Sequence, residues 1–157
     1  MRLPRNKLDA IEASVTRWSS ANGIRILRIS IGVIFLWYGA LKLFEGMSPA
    51  EDLAVNTIEI ITFHLLSPKT IIYILAIWEV IIGVGLLLNI YLRITLLLLF
   101  LQMLGTFTPL FFFTEETFRN FPYALTLEGQ YIIKNIVIIS AGIVLMSTLR
   151  RGKHAKP

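Results

Sequence analysis

Four long apolar runs dominate the chain, separated by short polar or amphipathic pieces. They cover residues 24–44, 70–88, 94–113 and 131–149, each 19 to 21 residues long. A helix rises about 1.5 Å per residue, so each run covers about 30 Å, the thickness of a bilayer's hydrocarbon core. None alternates polar and apolar residues as a barrel strand does. The pattern predicts an all-α, polytopic membrane four-helix bundle. Between the first two runs, Ala54, Ile58, Ile61 and Leu65 make an apolar stripe, with Glu51, Asp52, Asn56 and Glu59 largely off it. This predicts an amphipathic outer helix over 49–66, opened by a Ser48–Glu51 capping box with Pro49 at its first position and closed by Ser67-Pro68. It is expected on the outer membrane face or folded over the bundle as a lid. Residues 1–23 carry Leu8, Ile11, Val15 and Trp18 near helical spacing among charges, which fits a helix on the cytoplasmic membrane face, broken at Gly23 before the first span. A frayed tail is the plainer alternative. The segment lacks the early apolar run and cleavage site of a secretory signal. A basic tail, 150–157, follows the last span.

Composition agrees: 55% of the residues are hydrophobic and 16% charged, with a mean hydropathy of +0.71. One domain of four spans nearly uses up the 157 residues, leaving no room for a large soluble catalytic domain. Zero cysteines exclude disulfides, thiolate metal sites and iron–sulfur ligation by this chain. The net charge of +5 reads as topology rather than nucleic-acid binding. Arg2, Arg5, Lys7, Arg17, Arg25, Arg28, Arg93, Arg150, Arg151, Lys153 and Lys156, 11 of the 15 basic residues, fall on one side of the four spans. Glu45, Glu51, Asp52, Glu59, Glu115, Glu116 and Glu128 fall on the other. The positive-inside rule then puts both termini in the cytoplasm.

Polar residues inside the apolar runs are the candidates for chemistry, because lipid makes them costly. Glu79 sits about 13–15 Å from either end of the second span. Ala76 and Gly83 share its face and let another helix come close. Lys42 lies near the outer end of the first span, in line with Gly39, Phe35 and Gly32. Gln102 is central in the third, roughly in line with Thr95, Thr106 and Pro109. Lys134 and Asn135 lie about one turn inside the outer end of the fourth. Four such stripes can converge on a bundle axis. Lys42, Glu79 and Lys134 then form an outward-opening pocket of formal charge +1, suited to an anionic or quinone-like ligand or to proton acceptance by Glu79. The bland alternative is that both lysines snorkel to the interface and Glu79 only packs. Aromatics such as Trp37, Trp78 and Tyr131 fit an interfacial belt better than a ring-lined pocket. Thr108-Pro109 predicts a kink in the third span. His64 and His154 lie on opposite sides of the membrane and cannot share a metal. Gly83-x-Gly85 lacks the setting of a nucleotide fingerprint, and no nucleophilic triad is visible.

At these residues the chain resembles the DoxX-like family of small bacterial membrane proteins. The likeness rests on Trp37, Gly39 and Lys42 as W-x-G-x-x-K, on Trp78-Glu79, and on Glu128-Gly129-Gln130-Tyr131 with Lys134-Asn135. It runs from about Ile24 to Leu149, and within the family the branch tied to reactive chlorine resistance is the nearest in appearance. The resemblance implies a four-helix bundle of the inner membrane. Some members are linked to thiosulfate:quinone oxidoreductase or quinol oxidase membrane subunits, others to redox homeostasis and oxidative stress. It brings no settled catalytic residues, and the lack of cysteine weakens a thiol relay. Two readings stay open. One is a redox-associated subunit that binds a quinone or small anion and relies on an oxidoreductase or other membrane-protein partner for any electron-carrying cofactor. The other is a non-enzymatic anchor, transport accessory or assembly factor, and homo-oligomers fit either.

Overall fold

The structure, a computed structural model, describes residues 5–44, 46–47 and 51–151. Its elements are α1 (Arg5–Leu41), α2 (Glu51–Ile61), α3 (Pro68–Leu88), α4 (Leu92–Phe107), α5 (Pro109–Phe112), α6 (Thr114–Thr117), β1 (Phe118–Asn120), β2 (Ala124–Leu125) and α7 (Leu127–Arg151). Among the described residues four stretches of helix are long and apolar enough to cross a membrane: Lys7–Leu41, Pro68–Leu88, Leu92–Phe112 and Leu127–Leu149. The protein is an all-α, multi-pass membrane protein, its apolar helix faces turned to lipid.

The expected break at Gly23 is absent, and α1 runs unbroken for 37 residues. One helical glycine costs only about 1 kcal/mol against alanine, too little by itself to end a long helix. The outer helix is shorter than its apolar stripe suggested. It stops at Ile61 because Phe63 and His64 take left-handed backbone angles, φ 53° and 57°. Leu65, expected on the stripe, is exposed. Ser48, Pro49 and the cap expected of them lie outside the described residues, as do residues 1–4 and 152–157, which hold His154.

α3 starts where Ser67 caps it, its hydroxyl accepting from the Thr70 amide at 3.4 Å, with Pro68 at the first position. Its far end is closed by Asn89 in the left-handed conformation, φ 58°. Arg28 of α1 adds a guanidinium there, donating to the Leu86 and Leu87 carbonyls. Carbonyls at a helix C-terminus have no partner within the helix, and a cation also suits the dipole. The third span is interrupted at the place of the expected kink: α4 ends at Phe107 and Pro109 opens α5. The fourth begins at Leu127, four residues before the apolar run. Thr126 caps it, its hydroxyl accepting from the Gly129 amide at 3.2 Å. A short antiparallel hairpin, with Phe118 opposite Leu125, fills the loop before it.

The core is one cluster at the end where α1 meets the α3–α4 turn. It is built from Ile31, Phe35, Ile82, Leu86, Leu96, Leu99, Met103, Ala141 and Leu145. α1 and α3 pack closest. A Cβ on Gly83 would lie 2.5 Å from the Leu36 backbone nitrogen, and one on Gly39 would lie 2.8 Å from the Glu79 Cβ. Small residues permit this approach, which is how helices gain contact where lipid offers no hydrophobic drive.

Candidate functional site

Glu79 lies where α1 and α3 touch, one turn from Ala76 and Gly83. Its side chain is 12% exposed, and that of Lys42 14%. Lys42 follows Gly39 by three residues and so stands on the same side of the chain just past the end of α1. The close Gly39 contact therefore carries its ammonium to the carboxylate. Nζ donates to Glu79 Oε2 at 2.7 Å. From α4, Gln102 Nε2 donates to Glu79 Oε1 at 2.7 Å. Each carboxylate oxygen thus takes one donor, and a single side chain ties three helices together. Gln102 Oε1 is left buried with no hydrogen-bond partner. A buried acceptor in that state costs about 1–3 kcal/mol.

These groups line a cavity of about 530 Å³. α3 supplies Ile74, Leu75, Trp78 and Glu79, α4 supplies Leu101, Gln102, Gly105 and Thr106, and Pro109 follows at the start of α5. α2 folds across it with Leu53, Ala54, Thr57, Ile58 and Ile61, as a lid would. α7 adds Glu128, Tyr131, Ile132 and Asn135. The walls are mostly apolar, with Lys42, Glu79, Gln102 and Asn135 giving one polar position from each of the four spans. The Trp78 indole also donates to the Leu98 carbonyl on α4, at 3.2 Å.

The structure unites only two of the three charges that the sequence suggested would meet. Lys134 is exposed, its ammonium 5.5 Å from the Tyr131 ring centroid, and is not part of the cavity wall. Neighbouring residues point about 100° apart around a helix, so Asn135 faces inward and Lys134 does not. The charged groups of the cavity are therefore one ammonium and two carboxylates, Lys42, Glu79 and Glu128, rather than two ammoniums and one carboxylate. This reverses the expected sign. Trp37 is 66% exposed on the outside of the bundle and Gln130 is exposed outside the wall. Gly39 acts through packing. Thr57, on the buried side of α2, was not legible as a site residue. Its hydroxyl donates to the Leu53 carbonyl at 2.6 Å, and a threonine in an amphipathic helix carries no distinguishing pattern. Among the described residues no group of three histidines or carboxylates could hold a metal ion.

The DoxX family model matches residues 23–114, from the end of the α1 extension to the start of α6. The chain belongs to the DoxX family. The matched part of this DoxX chain contains Lys42, Glu79 and Gln102, the three residues of the hydrogen-bonded chain, while Glu128 and Asn135 lie beyond it. No curated protein and no solved structure is significantly similar to it.

Proposed function

We propose that this DoxX protein is a redox-associated subunit of the bacterial inner membrane whose cavity receives the ring of a lipid-soluble quinone. The basic residues put both termini in the cytoplasm, and the lid helix and cavity mouth then face the periplasm. One observation carries the reading: Gln102, with a buried Oε1 that has no partner, stands beside the Lys42–Glu79 pair in the wall of a mainly apolar cavity. Ligand sites take this form, with apolar walls and a few converging polar groups. A quinone offers redox chemistry when bound. The residues here supply complementary contacts: a turn of the Gln102 amide brings its buried Oε1 to accept from a ring hydroxyl of the reduced form, and the remaining Lys42 protons donate to a ring oxygen. Glu79 holds both side chains in place. The excess of carboxylate in the cavity argues against a small anion as the ligand. Electrons pass to or from an oxidoreductase partner.

The second reading, helix glue in an anchor or assembly factor, has its own support: the Lys42–Glu79–Gln102 chain links three helices. Gln102→Met separates the two. Solvent extracts of detergent-purified wild type are expected to contain quinone in proportion to protein. In Gln102→Met the lost bond to Glu79 lowers the unfolding midpoint by an amount worth about 1–2 kcal/mol, and the quinone content of the protein that stays folded falls as well. A quinone-free wild type, or a variant that loses stability with its quinone content unchanged, rejects the binding site and leaves the glue.

A further inference from the structure

Arg28 reaches the last carbonyls of α3, so it marks the level at which that end of the bundle stops. The 19 residues from Arg5 to Gly23 continue α1 beyond it, a rise of about 30 Å. Every residue from Lys7 to Ile26 is exposed except half-buried Asn22. α1 runs unbroken through Gly23, so this arm continues the first span out of the bundle rather than starting a separate helix flat on the bilayer. It nevertheless carries an apolar stripe, with Ile11 58% and Trp18 60% exposed.

Leu8, Ile11, Val15, Trp18 and Asn22 follow one another at steps of three, four, three and four. That is the a and d pattern of a coiled coil, with Asn22 at an a position, where a polar residue fixes register and strand number. Lys7 then occupies a g position and Glu12 the next e position. In a parallel pair these two meet across the seam, twice by symmetry. In an antiparallel pair g faces g and e faces e, so the Lys7–Glu12 pairing across the seam is lost. Two copies inserted the same way in one membrane have parallel arms. Ile26 and Val33 carry the same side of α1 into the membrane and are exposed there, away from Gly32 and Gly39, which face α3. We propose that a second copy of this chain covers the stripe, the two arms forming a short parallel coiled coil outside the membrane. Two heptads are too short to pair well as free peptides. Confinement to one membrane raises the effective concentration and removes that obstacle.

The cysteine-free chain makes the test direct. Single Val15→Cys and Ile11→Cys variants of the full chain place a thiol on the seam. Ala13→Cys places one on the opposite side of the same helix. After oxidation in native membranes, both seam variants are expected to give disulfide-linked dimers in several-fold higher yield than Ala13→Cys. Adding Lys7→Glu to Val15→Cys lowers the yield, and adding Glu12→Lys to that variant restores it. Equal yields on the two sides, no dimer at either seam position, or no recovery on charge exchange overturns the proposal. In the second of these cases, quenching of a bimane on Val15→Cys by lipid-borne quenchers assigns the stripe to the bilayer.

Discussion

Lys42→Met tests the pair at the centre of the site. The substitution keeps most of the side chain's length and removes only its charge and donors. At the observed 2.7 Å separation, the gross attraction is about 6 kcal/mol with an effective dielectric constant of 20. The cost of desolvating both groups absorbs much of this. Removing one partner does not return that cost, because Glu79 stays buried with Gln102 as its remaining donor. Breaking a buried pair in this way costs about 3–5 kcal/mol. The structure also indicates the repair. In Lys42→Met/Glu79→Gln no charge is stranded. The new amide can accept from Gln102 Nε2 and donate to the unpaired Gln102 Oε1. The double variant should therefore recover all but about 1–2 kcal/mol, the usual worth of an interhelical hydrogen bond in a membrane. Unfolding by denaturing detergent in mixed micelles, followed by circular dichroism, gives the three stabilities. A Lys42→Met protein as stable as wild type would refute the pairing. A double variant no better than the single would refute the stranded-charge argument.

Gly83→Val forces α1 and α3 apart where the Leu36 backbone leaves no room for a side chain; overpacking of this kind costs about 1–3 kcal/mol, read as a lower unfolding midpoint. Arg28→Ala frees the Leu86 and Leu87 carbonyls, and hydrogen exchange should rise in the last turn of α3 while the Glu79 region keeps its protection. Cysteine in place of Arg17 should resist a membrane-impermeant label in intact cells, and cysteine in place of Glu116 should react; the opposite pattern inverts the topology. Ser67→Ala removes the cap of α3 at a cost of about 0.5–2 kcal/mol, with faster exchange at Thr70 as its signature.

The sequence by itself determined the number of spans, because a bilayer demands about 20 apolar residues per helix and four runs meet that demand. It singled out Glu79, since a carboxylate in such a run stands against its solvent. It also located the break between α4 and α5 at Thr108-Pro109, because proline removes a donor whatever surrounds it. These are properties of single residues or of contiguous segments. What depended on packing was decided only by the tertiary structure. Lys42 and Lys134 were equal candidates in sequence, both near the outer ends of apolar runs. The close approach at Gly39 and Gly83 delivered the first to Glu79, and the rotation of α7 turned Asn135 inward in place of Lys134. The lid position of α2 rests on its contacts with α3 and α5. An amphipathic stripe alone cannot specify these, because an apolar face is satisfied by lipid or by protein. Gln102 was visible as a polar residue. Its paired nitrogen and unpaired oxygen became visible only when α3 and α4 stood side by side, since hydrogen bonding is a relation between helices and not a property of either one.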